Sequence, residues 1–415
     1  MKKAIILGIN LETDNKAAEL SLDELEQLVL TTGVKPVARY IQKRKHPDSA
    51  TYAGKGLMEE IAEKMREEEI GLLVFDNELS PSQARNIRKR FEIEVADRTE
   101  IILEIFHQHA GTKESRLQVK LAELQYQLPR LRKLWSHFGK TSSSSGGTAS
   151  AGRGMGETQL EVDRRRISAE IVRVSEELKH IAVRHDTRSK RRSSIPKVCL
   201  VGYTNAGKST LINQLTNADS LVKNQLFATL ESRSRRITTP KGRQVVLSDT
   251  IGFIANLPHE LVASFRATLK DTVDSDLLLH VTDIADPNHQ RQIETVENVL
   301  QEIDAGDIHR LHVLNKLDKS EYPAAVLEEI YTDSIALSAL YGDFMEHLLN
   351  RLDEELFDTR KVELFIPWDK QDVASRVHNE AYIADKSYLD SGVKMIAEMD
   401  KVACKRFEAF IQESE

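Results

Sequence analysis

One octapeptide constrains this chain more than any other feature: Gly202-Tyr203-Thr204-Asn205-Ala206-Gly207-Lys208-Ser209. It fits the pattern G-x-x-x-x-G-K-[ST]. The apolar run KVCLV precedes it and TLINQL follows it. A strand, a glycine loop and a helix in that order turn backbone N–H groups toward phosphate oxygens, and the helix adds its positive N-terminal end. Gly202 and Gly207 permit the turn. Lys208 is placed to meet β- and γ-phosphates, and Ser209 offers a hydroxyl to Mg²⁺. The stretch therefore predicts a parallel α/β domain that takes a nucleoside triphosphate.

Three further boxes select the base and the chemistry. In HVLNKLD, Asn315, Lys316, Leu317 and Asp318 form an N-K-x-D box after an apolar run. Its aspartate accepts hydrogen bonds from N1–H and the 2-amino group of guanine. Adenine has neither donor and would leave the carboxylate unsatisfied, which discriminates between the bases. In SIALSALYG, Ser338 and Ala339 stand where a backbone amide meets the guanine oxygen, with Leu340 in a third position more often basic. In VVLSDTIGF, Asp249 is placed to hold the Mg²⁺ shell and Gly252 to offer its N–H to the γ-phosphate. The expectation is a guanine-nucleotide site that hydrolyses GTP to GDP.

Two positions in this site are open. The switch hydroxyl that closes over Mg²⁺ has candidates at Thr229, Ser232 and Ser234, of which Thr229 is preferred. After Gly252 comes Phe253, where many GTPases carry a water-orienting glutamine. Either hydrolysis is slow and the protein is a binding switch, or a partner completes the site. Asn205 is a candidate ligand for K⁺, which would stabilise phosphate charge.

The 415 residues leave room for several domains, and 40% hydrophobic with 30% charged content fits buried cores. Cys199 and Cys404 are far apart and suggest no disulfide scaffold. No apolar run approaches the ~20 residues of a membrane span. MKKAIILGINLETD lacks a signal-peptide pattern, so a cytoplasmic location is expected. The net charge of −7 is uneven: residues 113–192 hold 18 Lys and Arg against 9 Asp and Glu, leaving the remainder at −16. A basic block in an acidic chain fits either a polyanion contact or an Arg-rich solvated face.

Before that block, strand-like KAIILGIN, PVARYIQ, GLLVFD and FEIEVAD alternate with helical patterns, as in a small parallel sheet. Ser21 is a candidate N-cap, with Glu24 three residues on and Gly33 as the stop. Next, Leu117, Leu121, Leu124, Leu128, Leu131 and Trp135 form a seam of alternating three- and four-residue steps, interrupted by Pro129. Leu160, Ile167, Ile171, Val174, Leu178 and Ile181 repeat it. The two stripes predict an antiparallel hairpin, against the alternative of one packed helix and one linker. Between them, TSSSSGGTASAGRGMG reads as a soft loop whose Arg153 faces phosphate or stacks on a base. A compact α+β tail follows KVELFIPW.

Several segments resemble one family. They are DNELSPSQARN, DRTEIILEIFHQHA, KLAELQYQLPRL, GRGMGETQLEVDRRRI (with Met155 where proline is usual) and FATL followed by ESRS. On these the chain resembles the HflX family of ribosome-associated GTPases over roughly residues 20–400. The resemblance implies a multidomain α/β protein in four parts. These are an N-terminal α/β domain (1–110), a helical hairpin (111–190, tip loop 137–156), a Ras-like P-loop GTPase domain (195–358) and a small C-terminal α+β domain (361–415). It implies nucleotide contacts at Gly202 to Thr210, at Phe227, Ala228, Thr229 and Leu230 of the switch motif, at Asp249, Thr250, Ile251 and Gly252, and at both guanine boxes. Metal ligation falls to Ser209, Thr229 and Asp249, and catalysis to Lys208, Thr229 and Gly252. It also implies a GTP-dependent factor, expected to be a monomer. Such a factor binds the large ribosomal subunit near the peptidyl-transferase rRNA through hairpin and N-terminal domain. It dissociates stalled or stressed ribosomes and hydrolyses GTP under their stimulation. The alternative is a regulatory switch that binds RNA or protein without splitting ribosomes.

Overall fold

The computed structural model describes residues 2–11, 15–141, 150–189, 195–216, 226–227, 233–256, 258, 261 and 269–412. For 132–141, 150–160, 182, 184–189, 233, 379 and 402 it describes the backbone alone.

The first unit is a parallel sheet in the order β2-β1-β3-β4, from β1 (Lys3–Asn10), β2 (Lys35–Lys43), β3 (Leu72–Phe75) and β4 (Val95–Asp97). β1 is buried at every position but its first, because both faces are covered. Alternate residues serve two cores. Ala4 and Ile6 pack with Leu22, Leu25 and Leu28 of α1 (Asn15–Thr31) and Phe106 of α4 (Arg98–His109). Ile5, Leu7 and Ile9 pack with Met58, Ile61 and Met65 of α2 (Lys55–Glu67) and Ile87 and Phe91 of α3 (Pro81–Phe91).

Caps fix two of these helices. Ser80 and Gln83 form a reciprocal capping box with Pro81 in the first turn of α3, and Asp97 and Glu100 form another at α4. Ser21, expected as an N-cap, instead lies inside α1, its hydroxyl 2.6 Å from Asp76 Oδ2. Most of FEIEVAD is not strand: Phe91 ends α3 and only Val95–Asp97 pairs.

The next two helices, α5 (Lys113–Thr141) and α6 (Ser150–Ser189), pack on each other through Leu117, Leu121 and Leu124 against Ile167, Ile171, Val174 and Leu178. The apolar seams are thereby buried mutually, and Lys120–Glu170 and Lys113–Glu177 pairs flank them. Helix α5 continues through Pro129. The expected soft loop is shorter than composition suggests, because helix reaches Thr141 and resumes at Ser150; residues 142–149 lie outside the described residues.

The second sheet has the order β10-β9-β8-β5-β7-β6. Its strands are β5 (Lys197–Gly202), β6 (Arg233–Thr238), β7 (Gln244–Asp249), β8 (Leu277–Asp283), β9 (Arg310–Asn315) and β10 (Ser334–Ala336), with only β6 antiparallel. The helices are α7 (Lys208–Thr216), α8 (Lys270–Val273), α9 (His289–Glu302), α10 (Ala324–Ile330) and α11 (Met345–Leu356). Val198 and Leu200 of β5 face one core, while Cys199 and Val201 face the cluster that also holds Leu22 and Phe106, so the two α/β units share apolar packing.

The third sheet is antiparallel, in the order β12-β13-β11-β14. It comprises β11 (Thr359–Pro367), β12 (Tyr382–Leu389), β13 (Gly392–Asp400) and β14 (Ile411–Gln412), covered by α12 (Gln371–Glu380) and α13 (Lys401–Arg406) through Val377, Met395 and Phe407. Both cysteines are free. Among the described residues no helix is long and apolar enough to cross a membrane.

Candidate nucleotide site

The loop after β5 meets the ends of β7, β8 and β9, where open parallel sheets bind ligands. Gly202 and Gly207 are required sterically. Their φ angles are +151° and +97°, and a Cβ would lie 2.2 Å from the Val281 carbonyl oxygen and 2.1 Å from Asn315 Nδ2. Asn205, also left-handed at φ 61°, is exposed.

Lys208, 6% exposed, donates to the carbonyls of Gly202 (2.9 Å) and Tyr203 (2.8 Å). Burial lowers its pKa to about 8 and Asp249 opposes the shift. A polyanion arriving beside it would further favour the charged form. Ser209 Oγ donates to Asp249 Oδ2 at 2.9 Å. A hydroxyl and a carboxylate therefore converge at the start of α7, a set of hard oxygen donors that fits Mg²⁺ alongside phosphate oxygens.

The two segments expected to select the base interlock. Asn315 Nδ2 donates to the Ala206 carbonyl at 2.8 Å, and its Oδ1 accepts from Ala339 N–H at 3.0 Å. One side chain thus clasps the phosphate loop to the second guanine box. Ser338 Oγ donates to Asp318 Oδ1 at 2.6 Å, and Lys316, left-handed at φ 64°, places Nζ 2.6 Å from Asp283 Oδ2. Leu340 is 63% exposed, whereas Leu317 packs into a small core.

Asp249, Thr250, Ile251 and Gly252 continue from β7. Thr250 turns inward, its hydroxyl 2.6 Å from the Leu200 carbonyl oxygen, and Ile251 is buried, so their side chains serve packing. Gly252 comes so close to the loop that a Cβ would be 2.9 Å from Thr204 Cα. Phe253 is 3% exposed. Its N–H donates to the Gly202 carbonyl and its carbonyl accepts from Thr204 N–H, which takes that loop amide out of use. Phe227 does not join the site: its ring is buried edge-on against Phe106, with centroids 4.7 Å apart. Ala228, Thr229, Leu230 and Ser232 lie outside the described residues, and Ser234 bonds Ser248 on the neighbouring strand.

Motif reading named Glu24 only as a helix-start signal, and passed over Arg98, Asp283 and Ala255. Asp283, a charged residue at the end of a buried strand, was findable; the other three meet the site only through tertiary contacts.

Fold and boxes together define a P-loop GTPase that binds GTP and GDP. Three family models match in sequence: one described as the N-terminal region of a GTP-binding GTPase (residues 19–107), one as its middle region (109–192) and one as a 50S ribosome-binding GTPase (197–316). The chain is 37% identical to the GTPase HflX of Caldanaerobacter subterraneus subsp. tengcongensis over 414 residues, covering 99% of this chain and 94% of that protein. It is 40% identical to the GTPase HflX of Escherichia coli over 360 residues, 86% and 83% of the two chains. The chain belongs to the HflX family of GTPases. It is also similar, at 25% identity and a TM-score of 0.45, to a crystallised GTP-binding protein from Sulfolobus solfataricus in complex with GDP, covering 86% of this chain and 98% of that one.

Proposed function

We propose that this GTPase, in its GTP state, docks on the large ribosomal subunit and dissociates ribosomes, with hydrolysis stimulated by the ribosome and used for release. The observation that carries the proposal is Phe253. It is buried and bound to the phosphate loop where an intrinsic GTPase needs a side chain to orient water. A site built this way depends on an outside group or on reordering by a partner. The ribosome is the partner suggested by the family and by the description of the matching GTPase model.

Each part has an assigned task. The loop from Gly202 to Thr210 holds the phosphates, with Lys208 as the point charge on the β–γ bridge. Ser209, Asp249 and, in the triphosphate state, Thr229 would hold Mg²⁺, which when bound would supply positive charge against the phosphates. Gly252 presents its amide to the γ-phosphate, Asp318 reads guanine N1–H and the 2-amino group, and Ala339 offers its amide to the guanine oxygen. The Asn205 amide is assigned to K⁺; equal hydrolysis rates in KCl and NaCl would remove that assignment. The paired helices of 111–190, with the N-terminal domain, approach rRNA near the peptidyl-transferase region, their basic side chains meeting backbone phosphates. The protein acts in the cytoplasm as a monomer.

Sucrose-gradient sedimentation of 70S ribosomes tests this. With GTP or a non-hydrolysable analogue the 70S peak is expected to give way to subunits, and purified large subunits to raise the GTPase rate. An unchanged 70S peak, with rRNA absent from GTP-state pulldowns, would favour a switch that does not split ribosomes.

A further inference from the structure

The backbone beyond Gly252 is held from two sides: Phe253 pairs with Gly202 and Thr204, and Ala255 is reached from outside the nucleotide-binding sheet. Both backbone groups of Ala255 end on side chains: its N–H donates to the Tyr203 hydroxyl oxygen at 2.8 Å, and its carbonyl accepts from Arg98 Nη2 at 3.3 Å. Tyr203 belongs to the phosphate loop and Arg98 opens α4 of the N-terminal sheet. Both also donate to the carboxylate of Glu24 in α1, Tyr203 to Oε1 and Arg98 to Oε2. Arg98 is only 3% exposed and is completed by Asp76 at 2.9 Å. Burial, reinforced by Glu24, pushes the Tyr203 phenol up, so its proton stays on the oxygen and points at Glu24 while a lone pair takes the Ala255 N–H. One carboxylate of the N-terminal unit thus joins two side chains that together occupy both backbone groups of Ala255.

We propose that Glu24, Arg98 and the Tyr203 hydroxyl form a positioning clamp through which the N-terminal domain fixes the Gly252 amide for the γ-phosphate. The inference rests on the reading of Gly252 given above. A donor aimed at developing charge works to the degree that it need not reorganise during reaction. The segment Gly252–Ala255 sends no polar side chain into the site; burial of Phe253 and Ile254 and the Phe253 pairing fix its middle, and the Ala255 anchors, to which Glu24 and Arg98 of another domain contribute, fix its far end. None of the three side-chain groups faces the guanine boxes. The clamp therefore governs hydrolysis and the preference for triphosphate over diphosphate, and leaves affinity for GDP alone. Movement of α1 against the GTPase domain would reach Gly252 through Ala255, three residues along the chain.

The test uses full-length protein, single-turnover hydrolysis of GTP, and titration with fluorescent GDP and a non-hydrolysable GTP analogue. Tyr203→Phe keeps the ring and removes both hydroxyl bonds. Glu24→Gln keeps an acceptor for Tyr203 and weakens the tie to Arg98, covering the case in which the first variant misfolds. For Tyr203→Phe we expect kcat to fall about tenfold, below the ~100-fold or more of deleting a transition-state donor outright. Its GDP affinity should stay within twofold, and its preference for the GTP analogue over GDP should fall. Glu24→Gln should lie between it and the parent. Gly252→Ala separates the two readings. If that variant hydrolyses GTP and prefers the analogue as the parent does, the reading of Gly252 fails and the clamp with it. If Gly252→Ala is impaired while both clamp variants match the parent within twofold, or exceed it, the clamp alone is overturned.

Discussion

The phenol of Tyr126 in α5 donates to the carboxylate that caps α4, 2.7 Å from Oδ2 of Asp97. Asp97 is 1% exposed and also accepts from Leu79 N–H, Glu100 N–H and Arg130 Nη2, at 3.1, 3.0 and 2.8 Å. Arg130 stands 3.7 Å over the Tyr126 ring. Beside the apolar packing of Val119 and Ala122, the hairpin is thus fastened to the N-terminal unit at one buried anion, next to Pro129, where α5 lacks a backbone donor.

Loosening that anchor should cost stability and leave nucleotide binding intact. Tyr126→Phe removes one bond to a charged acceptor and should lower unfolding free energy by about 1–2 kcal/mol. Arg130→Met leaves the carboxylate without its cation and should cost about 3 kcal/mol. Urea denaturation reads both, and GDP affinity should stay at the parent value. Parent-like stability in both variants would show that the hairpin is held elsewhere.

Asp318, steadied by the Ser338 hydroxyl at 2.6 Å, should carry the base preference under the proposed reading. Asp318→Asn puts an amide where guanine presents two donors. GTP affinity should fall by about 100-fold or more, and xanthosine triphosphate should become the better ligand. Competition of each nucleotide against fluorescent GDP is the measurement; undiminished guanine preference would move the base site away from this box.

Asp283 is expected to act one step behind the base. Its Oδ2 lies 2.6 Å from Lys316 Nζ, with both side chains about one-fifth exposed at 18% and 23%. The pair holds the lysine in its left-handed backbone position beside Asp318. Asp283→Asn should weaken GTP and GDP binding equally, by roughly three- to tenfold, or about 1 kcal/mol. At saturating GTP the turnover rate should not change. A selective loss of GTP binding or of kcat would instead assign Asp283 to the phosphate end.

Legibility in the sequence followed the range of the interactions. The phosphate loop could be read because its glycines, lysine and serine act within one turn of backbone, and the guanine boxes because each is a short segment at a strand end. The hairpin was legible from two seams of equal period, which Leu121, Leu124, Val174 and Leu178 bury mutually. Ser21 misled because S-x-x-E marks a helix start only when the serine lacks another partner, and Asp76 supplies one from 55 residues away. The Ser/Gly-rich stretch misled at its edges, since composition does not show that α6 reaches back to Ser150. The place of Glu24 and Arg98 beside the phosphate loop was invisible for a simpler reason: their bonds to Tyr203 and Ala255 span 179 and 157 residues, and no local pattern encodes a pairing of that range.

His280 should set an acid limit on the nucleotide-binding domain. It pairs across the sheet with His312, the rings 4.9 Å apart, and is 1% exposed, with no hydrogen-bond partner for Nδ1 among the described residues. Burial first, then His312, Arg310 and Lys208, bring its pKa down to about 3. Burial lowers His312 as well. In the unfolded chain His280 titrates near its ordinary value of ~6.5, so below that pH the unfolded state binds a proton that the folded state refuses. The stability associated with neutral His280 is complete above ~6.5 and drains away as pH falls toward 3, with about 2 kcal/mol gone by pH 5. His280→Leu removes this titration at similar volume. Urea denaturation at pH 7 and pH 5 should show a drop in the parent about 2 kcal/mol larger than in the variant. Equal drops would mean that other groups, His312 and the carboxylates among them, account for the loss of stability in acid.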